Sequence, residues 1–192
     1  MKIKVSYDSQ SGLVKGYYPN NINYNVIPEP FIEINEDAQD KTGKQMVVEN
    51  GEYKEYKSLE QKIILKLQQL DNYHFNSSEI REIKINDYFI LSLSKQGRDL
   101  ISEQIQNLEQ QIKLNVVTEK KAVFEYFYDK KSFKITLNEL RKLLIFMLNI
   151  TNNNYVVYKN HINTIKNLST IKEVEDYDFT TNYLKNQKLE IK

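Results

Sequence analysis

Residues 132–148 read SFKITLNELRKLLIFML, and the reading of this stretch decides the fold. The chain around it is polar and charged, yet Leu143 to Leu148 places six apolar residues in a row. A membrane helix needs about 18–20 apolar residues, so this run is too short to be a span. Thr136, followed three residues later by Glu139, is a capping box, in which two side chains satisfy free backbone N–H groups at a helix start. Leu140, Leu143, Leu144, Met147 and Leu148 then form a broad apolar face, which Ile145 and Phe146 extend most of the way round. A helix apolar on nearly all sides is buried on several of them. The stretch is therefore predicted to open a central helix running from Leu137 toward Leu168. It is expected to be packed by the helices carrying Leu59 and Ile101 and by an aromatic hairpin.

Two more capping boxes lie outward from it, SLEQ at Ser58 and TIKE at Thr170. Ser58 opens a first helix whose apolar face is Leu59, Ile63, Leu67 and Leu70, with DNYHFNSS expected to end it. EIREIKI and DYFILSL read as two short strands around Asn86-Asp87. A second helix is expected from Lys95 to Leu114. Its stripe of Ile101, Ile105, Leu108 and Ile112 suits a bundle face, with pairing in a homo-oligomer as the alternative. VFEYFYDKKSFKI is the aromatic hairpin. The tail NQKLEIK is expected to fray.

Residues 1–57 read as β. KIKVSY alternates, DSQSG turns, and LVKGYY returns. Asn50-Gly51 within KQMVVENGEYKEY favours a type I′ hairpin. All three prolines fall in or beside YPNNINYNVIPEP, which is expected to be an extended crossing rather than a central strand. The expected fold class is α+β. A small N-terminal β-hairpin module (1–57) precedes a mainly helical C-terminal domain (58–180) of about three main helices and the short hairpin, then a tail (181–192).

Composition narrows function mostly by exclusion. The chain has 192 residues, 40% hydrophobic and 28% charged, enough for a real core. A formal net charge of +1 gives no field that draws it to nucleic acid or anionic lipid. With no cysteine, disulfides and thiolate chemistry are absent. MKIKVSYDSQSG turns polar before a leader core forms, so a soluble protein made in the cytoplasm is expected. No GXGXXG, GXXXXGK, GXSXG or HEXXH pattern occurs. His74 and His161 are the only histidines. They are read as surface or capping residues, with His74 in a turn and His161 on a helix. Gly97-Arg98 at a helix start suits one anion at most, and the carboxylates of EVEDYD lack a calcium-loop register. Neither a catalytic residue, a metal ligand nor a cofactor site is assigned, and no enzyme activity is expected. A dispersed two-carboxylate site would leave no local mark and ranks last.

Tyrosine is abundant, with 14 in the chain against 8 Phe and no Trp. Tyrosine suits wet protein interfaces. FEYFYDKKSFK interleaves aromatic and basic residues as single-strand nucleic-acid platforms do, but Glu125 and Asp129 spoil a basic stripe. The candidate partner-binding residues are Tyr17, Tyr18, Tyr24, Ile27, Pro28, Pro30 and Phe31, on a Pro-flanked segment able to add to a partner's sheet edge.

FILSLSKQGRDLISEQI, then VFEYFYDKKSFKITLNELRKLLIFML, then VVYKNHINTIKNLSTIKEVEDYD together resemble a helical C-terminal domain of unknown function found in phage tail-fibre and prophage proteins. The likeness covers about residues 59 to 178. It rests on Ser94, Arg98, Phe124, Thr136, Leu140, Tyr158, His161, Ile165, Thr170, Val174 and Asp178. The family's Trp at the hairpin is Phe or Tyr here. IPEPFIEI followed by TGKQMVVENGEYKEY resembles the opening module of phage tail-fibre assembly proteins. The resemblance implies a non-enzymatic role as a fibre assembly chaperone or a minor tail or baseplate component. Its partner would be a tail-fibre or baseplate protein, with no membrane and no nucleic acid. The expected location is the bacterial host cytoplasm during assembly, or the virion. The runner-up is a generic prophage-encoded binding module or regulator that contacts host protein or nucleic acid.

Overall fold

A computed structural model describes residues 1–86, 89–128 and 131–191. The chain is α+β and divides into two compact units, Met1–Gln61 and Lys62–Lys192.

In the first unit, β1 (Lys2–Tyr7), β2 (Val14–Pro19) and β3 (Phe31–Asn35) form an antiparallel sheet in the order β2-β1-β3. Alternation along β1 buries Ile3 and Val5 completely on one face. The β1–β2 turn is tied by the Asp8 carboxylate, which accepts from the backbone N–H groups of Gln10 and Ser11. Gly12 follows at φ +71, where a Cβ would stand 2.5 Å from the Val48 carbonyl oxygen. β4 (Met46–Glu49) and β5 (Glu52–Glu55) form the expected hairpin. Asn50 and Gly51 both take positive φ, 54 and 80, as a type I′ turn requires. No strand forms between β2 and β3.

The second unit is built along one helix. α1 is Leu59–Asn76, α2 a single turn at Ser78–Arg81, α3 Lys95–Lys113, α4 Leu137–Lys166 and α5 Ile171–Asp176. β6 (Glu82–Ile85), β7 (Phe89–Ser92) and β10 (Lys188–Leu189) form a sheet in the order β10-β6-β7. β8 (Val123–Tyr128) and β9 (Lys131–Thr136) form the aromatic hairpin. All three capping boxes are made: Ser58 with Gln61, Thr136 with Glu139, and Thr170 with Glu173.

At about 1.5 Å per residue the 30-residue α4 spans about 45 Å. Two separate clusters bury it. Its first half, through Leu140, Leu143, Met147 and Ile150, packs with Ile101, Ile105 and Leu108 of α3 and with Ile83, Ile85 and Leu91 of the sheet. Its second half, through Tyr158 and Ile165, packs with Leu70, Ile80 and Tyr183. Between the halves lies Asn154, buried and polar. Its carboxamide donates to the Ile80 and Leu184 carbonyls (3.2 and 3.1 Å) and accepts from the Leu184 N–H (2.8 Å).

Four expectations need correction. The first helix ends within DNYHFNSS, at Asn76, as expected, but His74 lies inside that helix and not in a turn. EIR is not a strand; Ser78–Arg81 closes a helical turn before β6 begins. The tail does not fray. β10 pairs in parallel with β6, and Asn86 clamps the Ile191 backbone through its side-chain oxygen and nitrogen (2.8 and 2.7 Å). Finally, two residues of the apolar face that opens α4, Ile145 and Leu148, stay open. Leu143 is fully enclosed and Phe146 half-buried, but Ile145 is 59% and Leu148 40% exposed. The hairpin packs by alternation, with Phe124 and Tyr126 against the core and Phe127 exposed. Asp87 of the expected β6–β7 turn and Asp129 of the aromatic hairpin lie outside the described residues.

α3 starts hard against β7. A Cβ on Gly97 would stand 2.1 Å from the Ser92 carbonyl oxygen. Replacing a helix-interior glycine by alanine ordinarily gains about 1 kcal/mol. Here Gly97→Ala is expected to lose about 1–3 kcal/mol, since helix and strand must part. Urea unfolding checks this, and an unchanged or raised midpoint contradicts it.

Candidate functional site

The two histidines, far apart in sequence, meet at one tyrosine in the second unit. The last turn of α1 carries His74 into the core, where its ring stacks on Tyr158 (4.2 Å between centroids, 16° between planes). His161 stacks on Tyr183 from the other helix (5.6 Å, 27°), and Tyr183 also lies 5.9 Å from His74. Neither histidine is a surface or capping residue: each is only 4% exposed. The surface reading fails because stacking on tyrosines from α4 and the tail cannot be read from local spacing.

Their surroundings differ. His161 Nε2 faces the Thr181 carbonyl oxygen at 3.0 Å, and a carbonyl can only accept, so this nitrogen carries the hydrogen. In the neutral ring Nδ1 then accepts from the Tyr177 hydroxyl at 2.7 Å. Both nitrogens are occupied, which leaves none to accept a substrate proton. His74 Nδ1 and the Tyr183 hydroxyl have no hydrogen-bond partner among the described residues. Burial, aided by the nearby Arg81 charge, lowers the His74 pKa to about 4. Burial also raises the tyrosines: Tyr158 is pushed up to about 12, helped by its 2.7 Å hydrogen bond to Asp71, and Tyr183 higher still.

Two clefts flank this cluster. One of about 450 Å³ is lined by Gln69, Asn72, Tyr73, Asn76 and Phe179, the other of about 240 Å³ by Asn160, His161, Thr164, Tyr177 and Asn182. Amides and rings line both. No group of three or more His, Cys, Asp or Glu side chains able to hold a metal occurs among the described residues. The EVEDYD carboxylates are used internally. Glu173 closes its capping box, Glu175 pairs with Lys62, Asp176 with Lys172, and Asp178 accepts from Thr180. The expected anion donors at Gly97-Arg98 are also used, Gly97 N–H by the Ser94 hydroxyl and Arg98 by the Leu93 carbonyl.

In the first unit the partner-binding residues divide between the two faces of the sheet. Tyr17 and Tyr18 point opposite ways, as neighbours on a strand must. Tyr17 is half-buried and shares a 2.8 Å hydrogen bond with the Tyr53 hydroxyl, which accepts from Asp40 N–H; burial raises the Tyr17 pKa. Tyr18 lies across Gly16 and meets Tyr24 edge-on at 5.1 Å. Beside it Lys4, paired with Tyr18 in register, holds its ammonium 4.7 Å from the Phe31 ring. Tyr18, Tyr24 and Phe31 therefore form a shelf with Lys4. Ser6, on the same side of β1, is 1% exposed, and its hydroxyl has no hydrogen-bond partner among the described residues. Of the remainder, the Pro30 carbonyl accepts from Tyr7 N–H (3.1 Å), Ile27 is half-buried and Pro28 exposed.

Two residues of this surface escape the sequence reading. Ile22 is 52% and Val26 79% exposed, more open than Tyr24 at 36%. The signal is present in NINYNVI, where apolar residues alternate with neutral asparagines. β3 ends the sheet at its outer side, and no strand pairs with that edge among the described residues. No helix is long and apolar enough to cross a membrane, again among the described residues. No protein-family model, curated protein or solved structure matches the chain.

The buried His74 sets a pH dependence. Its ordinary pKa of 6.5 falls to about 4 in the folded chain, so between these values the unfolded chain binds a proton that the folded chain excludes. The His74 contribution is full above about pH 6.5 and declines as pH falls toward about 4. His74→Phe keeps the ring stack and should flatten this part of the melting-temperature profile. Equal slopes in both proteins over that range would refute the assignment.

Proposed function

We propose that the chain acts by binding another protein, and that its partner is a phage tail-fibre or baseplate protein which it helps to assemble or joins as a minor component. The observation that carries the binding role is the surface of the first unit. The open edge of β3 follows directly on a segment whose Ile22, Tyr24 and Val26 side chains are exposed. An unpaired edge offers backbone donors and acceptors to an incoming strand, and alternate side chains beside it supply selectivity. The assignment to phage tails rests on the resemblance of residues 59 to 178 and of the IPEPFIEI and NG-hairpin stretches to such proteins. A non-enzymatic role is in keeping with the two histidines. His161 has both nitrogens engaged, and His74 lies inside the core away from solvent. The work takes place in the host cytoplasm while tails are built.

Co-expression with a phage tail-fibre protein tests the reading. The two should co-purify, and the yield of soluble fibre trimers should rise. Tyr24→Ala combined with Val26→Asp should weaken the complex by about tenfold or more while leaving the thermal melt unchanged. Absence of a complex together with no gain in soluble trimer would rule out the tail-fibre role.

A further inference from the structure

From Leu140 to Lys166, α4 contains no aspartate or glutamate, whereas it carries Arg141, Lys142, Lys159 and Lys166. Helical spacing sets Ile145, Leu148, Tyr155 and Val156 along one side, and they are 59%, 40%, 50% and 57% exposed. Exposed neutral amides, Asn149 and Asn152, fill the surface between them. Lys142 and Lys159 stand at the two ends, about 25 Å apart at the helical rise. Lys159 lies over the Tyr155 ring, 5.2 Å from its centroid, so cation and apolar stripe form one surface. Arg141 is engaged by Glu109 on α3. Lys142, Lys159 and Lys166 make no ion pair among the described residues.

We infer that this outer face of α4 is a docking site for an amphipathic helix of another protein that carries carboxylates at both ends of its apolar stripe. An apolar strip left open on a helix and broken only by neutral amides offers a binding surface, and helix-on-helix burial reads such anchors at spacings of three, four and seven. Charge selects the occupant. A second copy laid parallel sets Lys142 beside Lys142, and one laid antiparallel sets Lys142 beside Lys159. Both orientations bring like charges together, with no carboxylate between Leu140 and Lys166 to relieve them and Glu139 held in the Thr136 capping box. Anionic lipid is the weaker fit, because a net charge of +1 supplies no long-range attraction to a membrane surface. The partner helix should therefore place Asp or Glu about five turns apart, flanking Leu, Ile or Met.

The probe is a fluorescein-labelled amphipathic peptide of about 21 residues with a leucine stripe and glutamates at both ends, compared with the same peptide ended by lysines. Anisotropy with the full chain should saturate for the acidic peptide and show affinity about tenfold or more weaker for the basic one. Val156→Asp and Lys159→Glu should each weaken the acidic peptide by about tenfold with an unchanged melting temperature. Val26→Asp, in the first unit, should leave it unaffected, which separates this surface from the one proposed above. Four results would overturn the inference. These are no binding of the acidic peptide, equal binding of both peptides, a solution dimer dissociated by Val156→Asp, and sedimentation with phosphatidylglycerol vesicles without peptide binding.

Discussion

The carboxamide of Asn154 joins two cores that would otherwise be separate. A helix about 45 Å long is too long for one small cluster to cover, and here each half of α4 has its own. At the join the tail and the α2 turn arrive with backbone groups that neither core can satisfy. Asn154 meets three of them, the Ile80 and Leu184 carbonyls and the Leu184 N–H. Each such group left unpaired costs about 1–3 kcal/mol. A leucine in its place would gain about 1.5–3 kcal/mol by burial, so the polar residue wins at this position. A second asparagine, Asn86, repeats the device on the Ile191 backbone. The two side chains stand in for strands where the tail has only two residues of its own in the sheet.

What could be read from the sequence followed from local chemistry. Three capping boxes, the Asn50-Gly51 turn and the alternation of β1 and β8 each depend on residues within about five positions of one another. Their chemistry is therefore written in consecutive letters. The errors share the opposite cause. His74 looked like a turn residue because its burial depends on Tyr158 and Tyr183, and the tail looked frayed because β10 depends on Asn86 and β6. Ile145 and Leu148 looked buried because a one-dimensional apolar run does not say how many neighbours exist to cover it. Of the proposed partner surface, the sequence offered Tyr17 and Tyr18 alike, and it could not show that Tyr17 is held by Tyr53 while Tyr18 meets Tyr24.

The tyrosine content also has a physical account. Tyrosine buries a large ring while its hydroxyl reaches a polar partner. Tyr17 uses Tyr53, Tyr158 uses Asp71, and Tyr177 uses His161. The Tyr183 hydroxyl has no hydrogen-bond partner among the described residues, and its ring lies instead against Tyr73, His74 and His161. A chain without cysteine or tryptophan thus fills and orders its smaller core with aromatic side chains that also carry polar ends.

The parallel pairing of β10 with β6 bears on the order of events during synthesis. Lys188 meets Lys84 across roughly a hundred intervening residues, so this pairing has a high contact order and forms late. While the ribosome is still making α4, one side of β6 and the seam at Asn154 wait without their partner. Helices α1, α3 and α4 carry local signals, whereas the ring contacts of Tyr183 and the backbone bonds of Ile191 to Asn86 need residues made after α4. Until then a nascent chain exposes an unpaired strand edge, the kind of surface on which a newly made protein is caught or lost.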